Sequence, residues 1–146
     1  MHSVRELIAN KGGTVHTVPI TATVLDAARV MNEARIGAVV VLDSGTMVGI
    51  LTERDILTRV VAAELDPRRT FVPQVMTREV LTCEPETRIT EARHVMRERR
   101  VRHLPVVEQG RLMGMLSIGD LNLVENETLV ATIRHMEAYI AGDATL

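Results

Sequence analysis

The chain has 146 residues, and its 46% hydrophobic content is enough for the core of one compact domain or of two half-size units. A near-neutral balance of 17 basic and 19 acidic residues gives no general attraction to nucleic acid, and a single cysteine excludes an intrachain disulfide and a cysteine-based zinc cluster. The aromatic residues are only Phe71 and Tyr139, so the chain lacks the stacked rings with which many proteins bind single-stranded nucleic acid.

The hydrophobic pattern of the first half predicts alternating helices and strands. Apolar residues at 24, 27, 28 and 31 share one helical face, whereas the continuous apolar runs that follow are typical of buried strands. The predicted elements are a lead-in helix at 4–8, a strand at 16–18, a helix from 24, strands at 38–42 and 47–51 around an Asp-Ser-Gly turn, and a helix from 52.

The second half predicts the same order after a connection at 64–69, which contains Pro67 and adjacent arginines. The predicted elements are a lead-in to the second unit at 72–76, a strand at 80–83, a helix at 89–99, strands at 104–107 and 112–116 around Glu-Gln-Gly, and a helix from 117. A terminal helix at 127–142 carries a narrow apolar stripe, at 129, 133, 136 and 140. This stripe packs either on its own domain or across a dimer interface.

The two halves are copies of one unit. When residues 24–56 are aligned with residues 89–121, a shift of 65 positions, ten of the 33 pairs are identical without a gap. An internal duplication of this length implies a pseudo-twofold arrangement with two related clefts.

A motif of the form Gly-x-x-[Thr/Ser]-x-x-Asp occurs at the strand-to-helix junction of each copy, at 49–55 and at 114–120. A hydroxyl at the N-cap with an acid three residues later is a capping box, in which both side chains bind free backbone N–H groups and stabilise the helix by about 1 kcal/mol. Considered alone, each motif favours this structural role.

Features of the motif also point to a nucleotide. The acid is the compact aspartate in both copies, and a carboxylate accepts two hydrogen bonds from vicinal hydroxyls such as those of ribose. A helix N-terminus attracts phosphate, and the hydroxyl of Thr52 or Ser117 adds a donor.

With Arg-His-Leu-Pro-Val at 102–106 and Ser-Ile-Gly-Asp at 117–120, the duplicated unit resembles the CBS domain, named after cystathionine β-synthase. The pair resembles a Bateman module, and its end is similar to that of stand-alone proteins with two CBS domains. The resemblance implies an α/β (α+β) fold in which two β-α-β-β-α repeats pack as a pseudo-twofold pair, with an N-terminal lead-in helix and a C-terminal helix. The expected bounds are 8–64 for repeat 1, 73–126 for repeat 2 and 127–142 for the C-terminal helix.

The resemblance implies clefts for an adenosine ligand such as AMP, ADP, ATP, NAD or S-adenosylmethionine. The family's ribose-binding aspartate corresponds to Asp55 and Asp120, and its hydroxyl near the phosphate to Thr52 and Ser117. The positions around adenine are Ile36, Ala38 and Val39 in the first cleft, and Val101, His103 and Leu104 in the second.

The copies differ in positive charge. Arg102 and His103 precede Leu104-Pro105 in the second copy, whereas the first has only Gly37 and Ala38 there and Arg54 within its motif. A charge-assisted contact adds roughly 1.5 to 3 kcal/mol, so the cleft that draws on Arg102 and His103 is expected to bind more tightly. Which of the two motifs Arg102 accompanies is left open by the sequence.

The predicted function is a non-enzymatic sensor of adenine nucleotides, a homodimer that acts on an unidentified regulated protein. The alternatives are a constitutive dimerisation module without a ligand and, less favoured, a nucleic-acid binder. The scattered histidines predict no metal site, and no catalytic residues are expected. Since no apolar run approaches the roughly 20 residues of a membrane span and no signal-peptide pattern begins the chain, we expect a cytoplasmic protein without a membrane partner.

Overall fold

Residues 2–142, which the computed structural model describes, form two related units of mixed α/β structure. The first repeat contains β1 (Thr17–Pro19), α2 (Val24–Ala34), β2 (Ala38–Asp43), β3 (Thr46–Thr52) and α3 (Glu53–Ile56), preceded by α1 (Val4–Lys11). The second contains α4 (Ile89–Arg99), β4 (His103–Glu108), β5 (Arg111–Ser117) and α5 (Ile118–Ile140), preceded by a 3₁₀ turn at Val72–Gln74. The predicted helices, hairpins and duplicated order are confirmed.

Each repeat is built around an antiparallel hairpin. β2 pairs with β3 and β4 pairs with β5, and β1 lies parallel to β2 on the other edge of the first sheet. The hairpin turns at Ser44-Gly45 and Gln109-Gly110 have positive φ values at both positions, 51° and 81° in one turn and 50° and 77° in the other. Two consecutive positive φ angles match the right-handed twist of the flanking strands, which explains the glycine that both turns share.

The strand predicted at 80–83 is wrong in its extent, because only Cys83 pairs with β4, in a single parallel bridge. In the first repeat, the N–H of Val40 donates to the carbonyl oxygen of His16 at 3.1 Å and extends the pairing beside β1. Pro105 occupies the position equivalent to Val40 and has no N–H to donate. The second repeat therefore lacks the bond that would lengthen this edge.

The lead-in segments are exchanged between the repeats, contrary to the expectation that the lead-in at 72–76 belongs to the second unit. The N–H of Val4 donates to the carbonyl oxygen of Thr87 at 2.9 Å, and the N–H of Val72 donates to that of Ala22 at 2.9 Å. The first core contains Val18, Ala22, Val24, Ala27, Met31, Val39, Val41, Leu51 and Val60 together with Val72, Val75 and Met76 of the later lead-in. The second contains Cys83, Ile89, Ala92, Met96, Leu104, Val106, Leu116 and Leu121 together with Val4 and Leu7 of α1.

Two equivalent glycines make this exchange possible. A Cβ atom at Gly114 would lie 2.9 Å from the Ile8 side chain of α1, and one at Gly49 would lie 3.0 Å from the carbonyl oxygen of Thr77. A larger residue would therefore press on the lead-in, on a side chain at Gly114 and on backbone at Gly49. Gly49 and Gly114 are identical in the duplication because each faces a segment that arrives from the other repeat.

The helices that follow the two hairpins differ in length. α3 continues as a π-helical turn at Leu57–Val61, whereas the helix predicted from 117 and the predicted terminal helix form one continuous α5 of 23 residues. Beyond its first turns α5 stands away from its own unit. Large apolar side chains are exposed along it, namely Leu123, Leu129, Val130, Ile133, Met136, Tyr139 and Ile140.

We predict that Leu7→Ala destabilises the second repeat although Leu7 belongs to the segment before the first. The side chain is 3% exposed in the second core, and truncation of a buried leucine costs about 2 to 5 kcal/mol. Urea denaturation measures the loss, and amide hydrogen exchange locates it. Protection should fall first in β4 and β5, and the exposed control Asn10→Ala should change neither measurement. A loss of protection centred on β1–β3 would contradict the exchange.

Candidate functional site

Both motif aspartates close a capping box at a strand-to-helix junction. The Thr52 N–H donates to Asp55 Oδ2 at 3.0 Å, and the Asp55 N–H donates to the Thr52 hydroxyl oxygen at 3.1 Å. The second copy repeats this geometry, with 2.8 Å from the Ser117 N–H to Asp120 Oδ2 and 3.2 Å from the Asp120 N–H to the Ser117 hydroxyl. The structural role predicted for the motif is present in both copies, so the two junctions can be told apart only by their surroundings.

Around Asp55 the surroundings form a hollow. The Thr77 hydroxyl lies 3.3 Å and 3.4 Å from the two carboxylate oxygens of Asp55 and donates to them. The Asp55 side chain is 11% exposed. Arg59 Nε lies 3.9 Å from Oδ1. A carboxylate has about four acceptor positions, and the backbone N–H and the shared hydroxyl leave part of this capacity on Oδ1 for a further donor.

The hollow, which we call the Asp55 cavity, has a volume of about 650 Å³. It suits a small ligand of nucleotide size, since such sites are typically about 300 to 1,000 Å³. Its lining includes aliphatic, acidic and basic side chains, which come from both repeats. The residues are Ile50, Thr52, Glu53, Arg54, Asp55, Leu57, Thr77, Glu79, Val80, Leu81, Arg100, Val101, Arg102 and His103.

The structure brings six of the thirteen candidate residues together in this cavity and places the others elsewhere. The six are Thr52, Arg54 and Asp55 of the first repeat with Val101, Arg102 and His103 of the second. Arg102, whose motif the sequence left open, thus lies with the aspartate of the opposite repeat. The remaining seven do not line this cavity: Ile36, Ala38 and Val39 around the start of β2, Leu104 and Pro105 within β4, and Ser117 and Asp120 at the second junction.

Asp120 has a different partner from Asp55. Lys11, the last residue of the exchanged α1, places its ammonium nitrogen 2.7 Å from Asp120 Oδ2 and 2.7 Å from the carbonyl oxygen of Met115. A lysine of the chain thus contacts the second aspartate directly, whereas the first accepts from the neutral Thr77 hydroxyl and has a cation, Arg59, only at 3.9 Å. The two junctions are similar in sequence and differ in how closely a cation approaches the carboxylate.

The segment that follows the second lead-in is part of the site, although the sequence pattern did not predict this. Thr77, Val80 and Leu81 form one wall of the cavity, because Thr77 pairs with Ile50 of β3 through two backbone hydrogen bonds of 2.9 Å and 3.0 Å. A polar residue directly after an apolar lead-in was the available signal. Its contact with Asp55 spans 22 positions and depends on the exchange of lead-ins, which local periodicity does not reveal.

His103 lies where the two repeats meet. A Cβ atom at Gly37 would lie 3.2 Å from its ring and 3.0 Å from the Glu53 carboxylate, so glycine at 37 lets the imidazole pass between the units. Burial lowers the pKa of His103 below its ordinary value, against the opposing charges of Glu53 and Asp120, while Lys11 and Arg102 lower it further. The imidazole is therefore held neutral near pH 7.

Within residues 2–142, no group of three or more histidine, cysteine or acidic side chains is placed to hold a metal ion. In the same part of the chain, no helix is both long enough and apolar enough to cross a membrane.

We predict that replacing His103 reduces the loss of stability in acid. The unfolded chain binds a proton at this residue near pH 6.5, while the folded state does so only at lower pH, so the free energy of unfolding falls as pH drops through the unfolded pKa toward the folded one. Urea unfolding at pH 7.5, 6.5 and 5.5 should show a smaller decrease for His103→Asn than for the wild type. Equal decreases in the two proteins would contradict the prediction.

Comparison with known proteins identifies the duplicated unit. The family model for the CBS domain matches residues 4–62 and 72–127, one copy in each half. A mitochondrial CBS domain-containing protein of Arabidopsis thaliana, CBSX3, is 34% identical over 125 residues, which are 82% of this chain and 61% of that protein. The chain thus spans less than two thirds of this relative's length.

Solved structures show the same fold. A putative signal-transduction protein with CBS domains from Burkholderia ambifaria has a TM-score of 0.79 and 39% identity, over 82% of this chain and 90% of that chain. A CBS domain protein from Pyrobaculum aerophilum, solved in complex with AMP, has a TM-score of 0.72 and 30% identity, over 81% of this chain and 88% of that chain. With two copies of the family pattern and structural neighbours over most of its length, this chain belongs to the CBS domain family and contains a tandem pair of CBS repeats.

Proposed function

We propose that this chain is a non-enzymatic regulatory module that binds an adenine nucleotide in the Asp55 cavity. The observation that carries the proposal is the meeting in one hollow of a capped aspartate from one repeat with Arg102 and His103 from the other. The AMP complex of the Pyrobaculum relative supports the choice of ligand class.

In the proposed complex the nucleoside occupies the aliphatic part of the cavity. Ile50, Leu57, Val80, Leu81 and Val101 offer flat apolar contact to a purine without any aromatic ring. Leu57 is 61% exposed in the free chain, so a base that covers it removes apolar surface from water. The ribose hydroxyls donate to Oδ1 of Asp55, which retains acceptor capacity.

The first phosphate of the ligand lies toward the second repeat. Arg102 supplies a planar set of donors that matches phosphate oxygens, and a charge-assisted hydrogen bond of this kind contributes roughly 1.5 to 3 kcal/mol. Because the ribose and phosphate contacts come from different repeats, the ligand favours the relative orientation that satisfies both. A typical coupling of about 1 to 3 kcal/mol then suffices to alter a surface that a regulated protein reads.

Location and the regulated partner belong to the proposal as well. A cytoplasmic location stays a prediction from the sequence, and the Arabidopsis relative is named as mitochondrial.

A constitutive dimerisation module without a ligand is the second candidate. It is favoured by the capping boxes, which account for both aspartates without any nucleotide.

We predict that AMP, ADP or ATP at 100 times its dissociation constant raises the melting temperature by about 5 to 10 °C, since such occupancy adds about 2.7 kcal/mol. Asp55→Ala should weaken binding roughly 10- to 100-fold by removing the ribose acceptor. Thermal shift with AMP, ADP, ATP, NAD and S-adenosylmethionine, followed by calorimetric titration, measures both effects.

Asp120→Ala is the matched control for Asp55→Ala. Each variant loses one capping-box carboxylate, at a cost of about 1 kcal/mol to stability, but only Asp55 lines the cavity. Nucleotide affinity should survive in Asp120→Ala. Equal losses in both variants would show that the capping boxes, not the cavity, control binding, and no shift with any compound would favour the dimerisation module.

We further propose that α5 pairs with α5 of a second copy. Leu129, Ile133, Met136 and Ile140 follow one another at offsets of four, three and four, a spacing typical of the seam between two helices. These side chains are between 53% and 84% exposed in the single chain, so their own unit does not cover them. A second copy would cover them with the same apolar surface.

We expect Ile133→Glu to convert a dimer into a monomer, because a carboxylate would be buried at the centre of the seam. Ala131→Glu adds the same single negative charge on the opposite side of α5 and should leave the dimer intact. Sedimentation velocity of the wild type and both variants measures the mass. A wild type that sediments as a monomer throughout would refute the pairing of α5.

A further inference from the structure

A second hollow adjoins the Asp55 cavity and is lined by an unusual number of arginines. Its volume is about 340 Å³, and we call it the arginine groove. It lies between the end of α4 and the start of α5 and extends to the first repeat through Arg54. The lining residues are Arg54, Arg93, Arg97, Arg100 and Arg102 with Met96, Val101 and Ile118.

Most of this positive charge is unpaired. Arg93 has a carboxylate partner, Glu125, at 3.4 Å, and it also donates to the Leu121 carbonyl at 2.8 Å. Among residues 2–142, the other four arginines have no carboxylate within 4.0 Å, although the folded chain places them around one hollow. Like charges gathered in this way repel each other and focus a positive potential, which an anion relieves.

The groove and the cavity share part of their lining. Arg54, Arg100, Val101 and Arg102 line both hollows. In the proposed complex, a ligand whose first phosphate lies beside Arg102 extends further phosphates past this shared residue toward the groove. Guanidinium groups suit this task, because their paired N–H donors match phosphate oxygens and their charge is retained at every physiological pH.

We infer that the arginine groove binds the outer phosphates of an adenosine polyphosphate, so that the chain prefers a nucleoside di- or triphosphate to AMP. The inference rests on the proposed function, because the nucleoside end of the ligand lies in the Asp55 cavity. The second and third phosphates contact Arg100, which lines both hollows, and Arg97, which lines only the groove and lies outside the cavity that holds AMP. The groove thereby selects ligands by the length of their phosphate chain.

Arg97 offers a selective test, since it is exposed on α4 and lines the groove but not the cavity. Calorimetric titration of the wild type should show ATP binding about tenfold more tightly than AMP, as one added charge-assisted contact provides. Arg97→Gln should weaken ATP severalfold and leave AMP unchanged. Arg99→Gln, on the same helix turn and outside both hollows, should change neither affinity.

Inorganic tripolyphosphate separates the failure of this inference from failure of the proposed function. If tripolyphosphate binds the wild type, loses affinity in Arg97→Gln and no nucleotide binds, the groove is an anion site and the nucleoside part of both proposals is overturned. If AMP and ATP bind equally well and Arg97→Gln changes neither, the groove inference is overturned and the proposed function stands. Thermal unfolding without ligand verifies that both variants remain folded.

Discussion

The exchange of lead-in segments is the constraint on which the rest of the structure depends. Backbone hydrogen bonds from Val4 to Thr87 and from Val72 to Ala22 fix each segment on the opposite repeat. Each hydrophobic core includes apolar side chains of the segment that it receives. The same exchange brings Thr77 against β3 and onto the carboxylate of Asp55. The cavity is therefore a product of the way in which the repeats are joined.

The difference between the two clefts arises from the difference between the two lead-ins. The later one is a short 3₁₀ turn that delivers a hydroxyl to the first aspartate, whereas the earlier one is a full helix whose last residue, Lys11, delivers an ammonium group to the second. Duplication copied the motif, but the segments that complete each cleft have diverged. Asp55 consequently has its nearest cation, Arg59, at 3.9 Å, whereas Lys11 lies 2.7 Å from Asp120 and occupies one of its acceptor positions.

Structural features that depend on residues close together in the chain were predictable from the sequence. Helical spacing, the hairpin turns and the capping hydroxyls at Thr52 and Ser117 depend on residues a few positions apart, and all of them are present. The contact of Lys11 with Asp120 spans 109 positions, and periodicity carries no information on it. Pro105 is an intermediate case. Its missing N–H is evident from the sequence, but the effect on the strand predicted at 80–83 follows only from the structure of the first repeat, where the equivalent Val40 donates to His16.

A ligand in the two hollows would act directly on the start of α5. The Ile118 N–H, in the first turn of this helix, donates to the Arg102 carbonyl oxygen at 2.9 Å, so the residue proposed to contact the phosphate is also hydrogen-bonded to the helix. Arg93 contributes its guanidinium both to the groove and to Leu121, Asn122 and Glu125 of α5. An anion that draws on Arg93 competes with these contacts, because the guanidinium has a fixed number of N–H donors. Since the apolar stripe of α5 begins at Leu129, one turn beyond Glu125, an anion that changes these contacts in the proposed complex would act on the part of the helix that leads into the stripe.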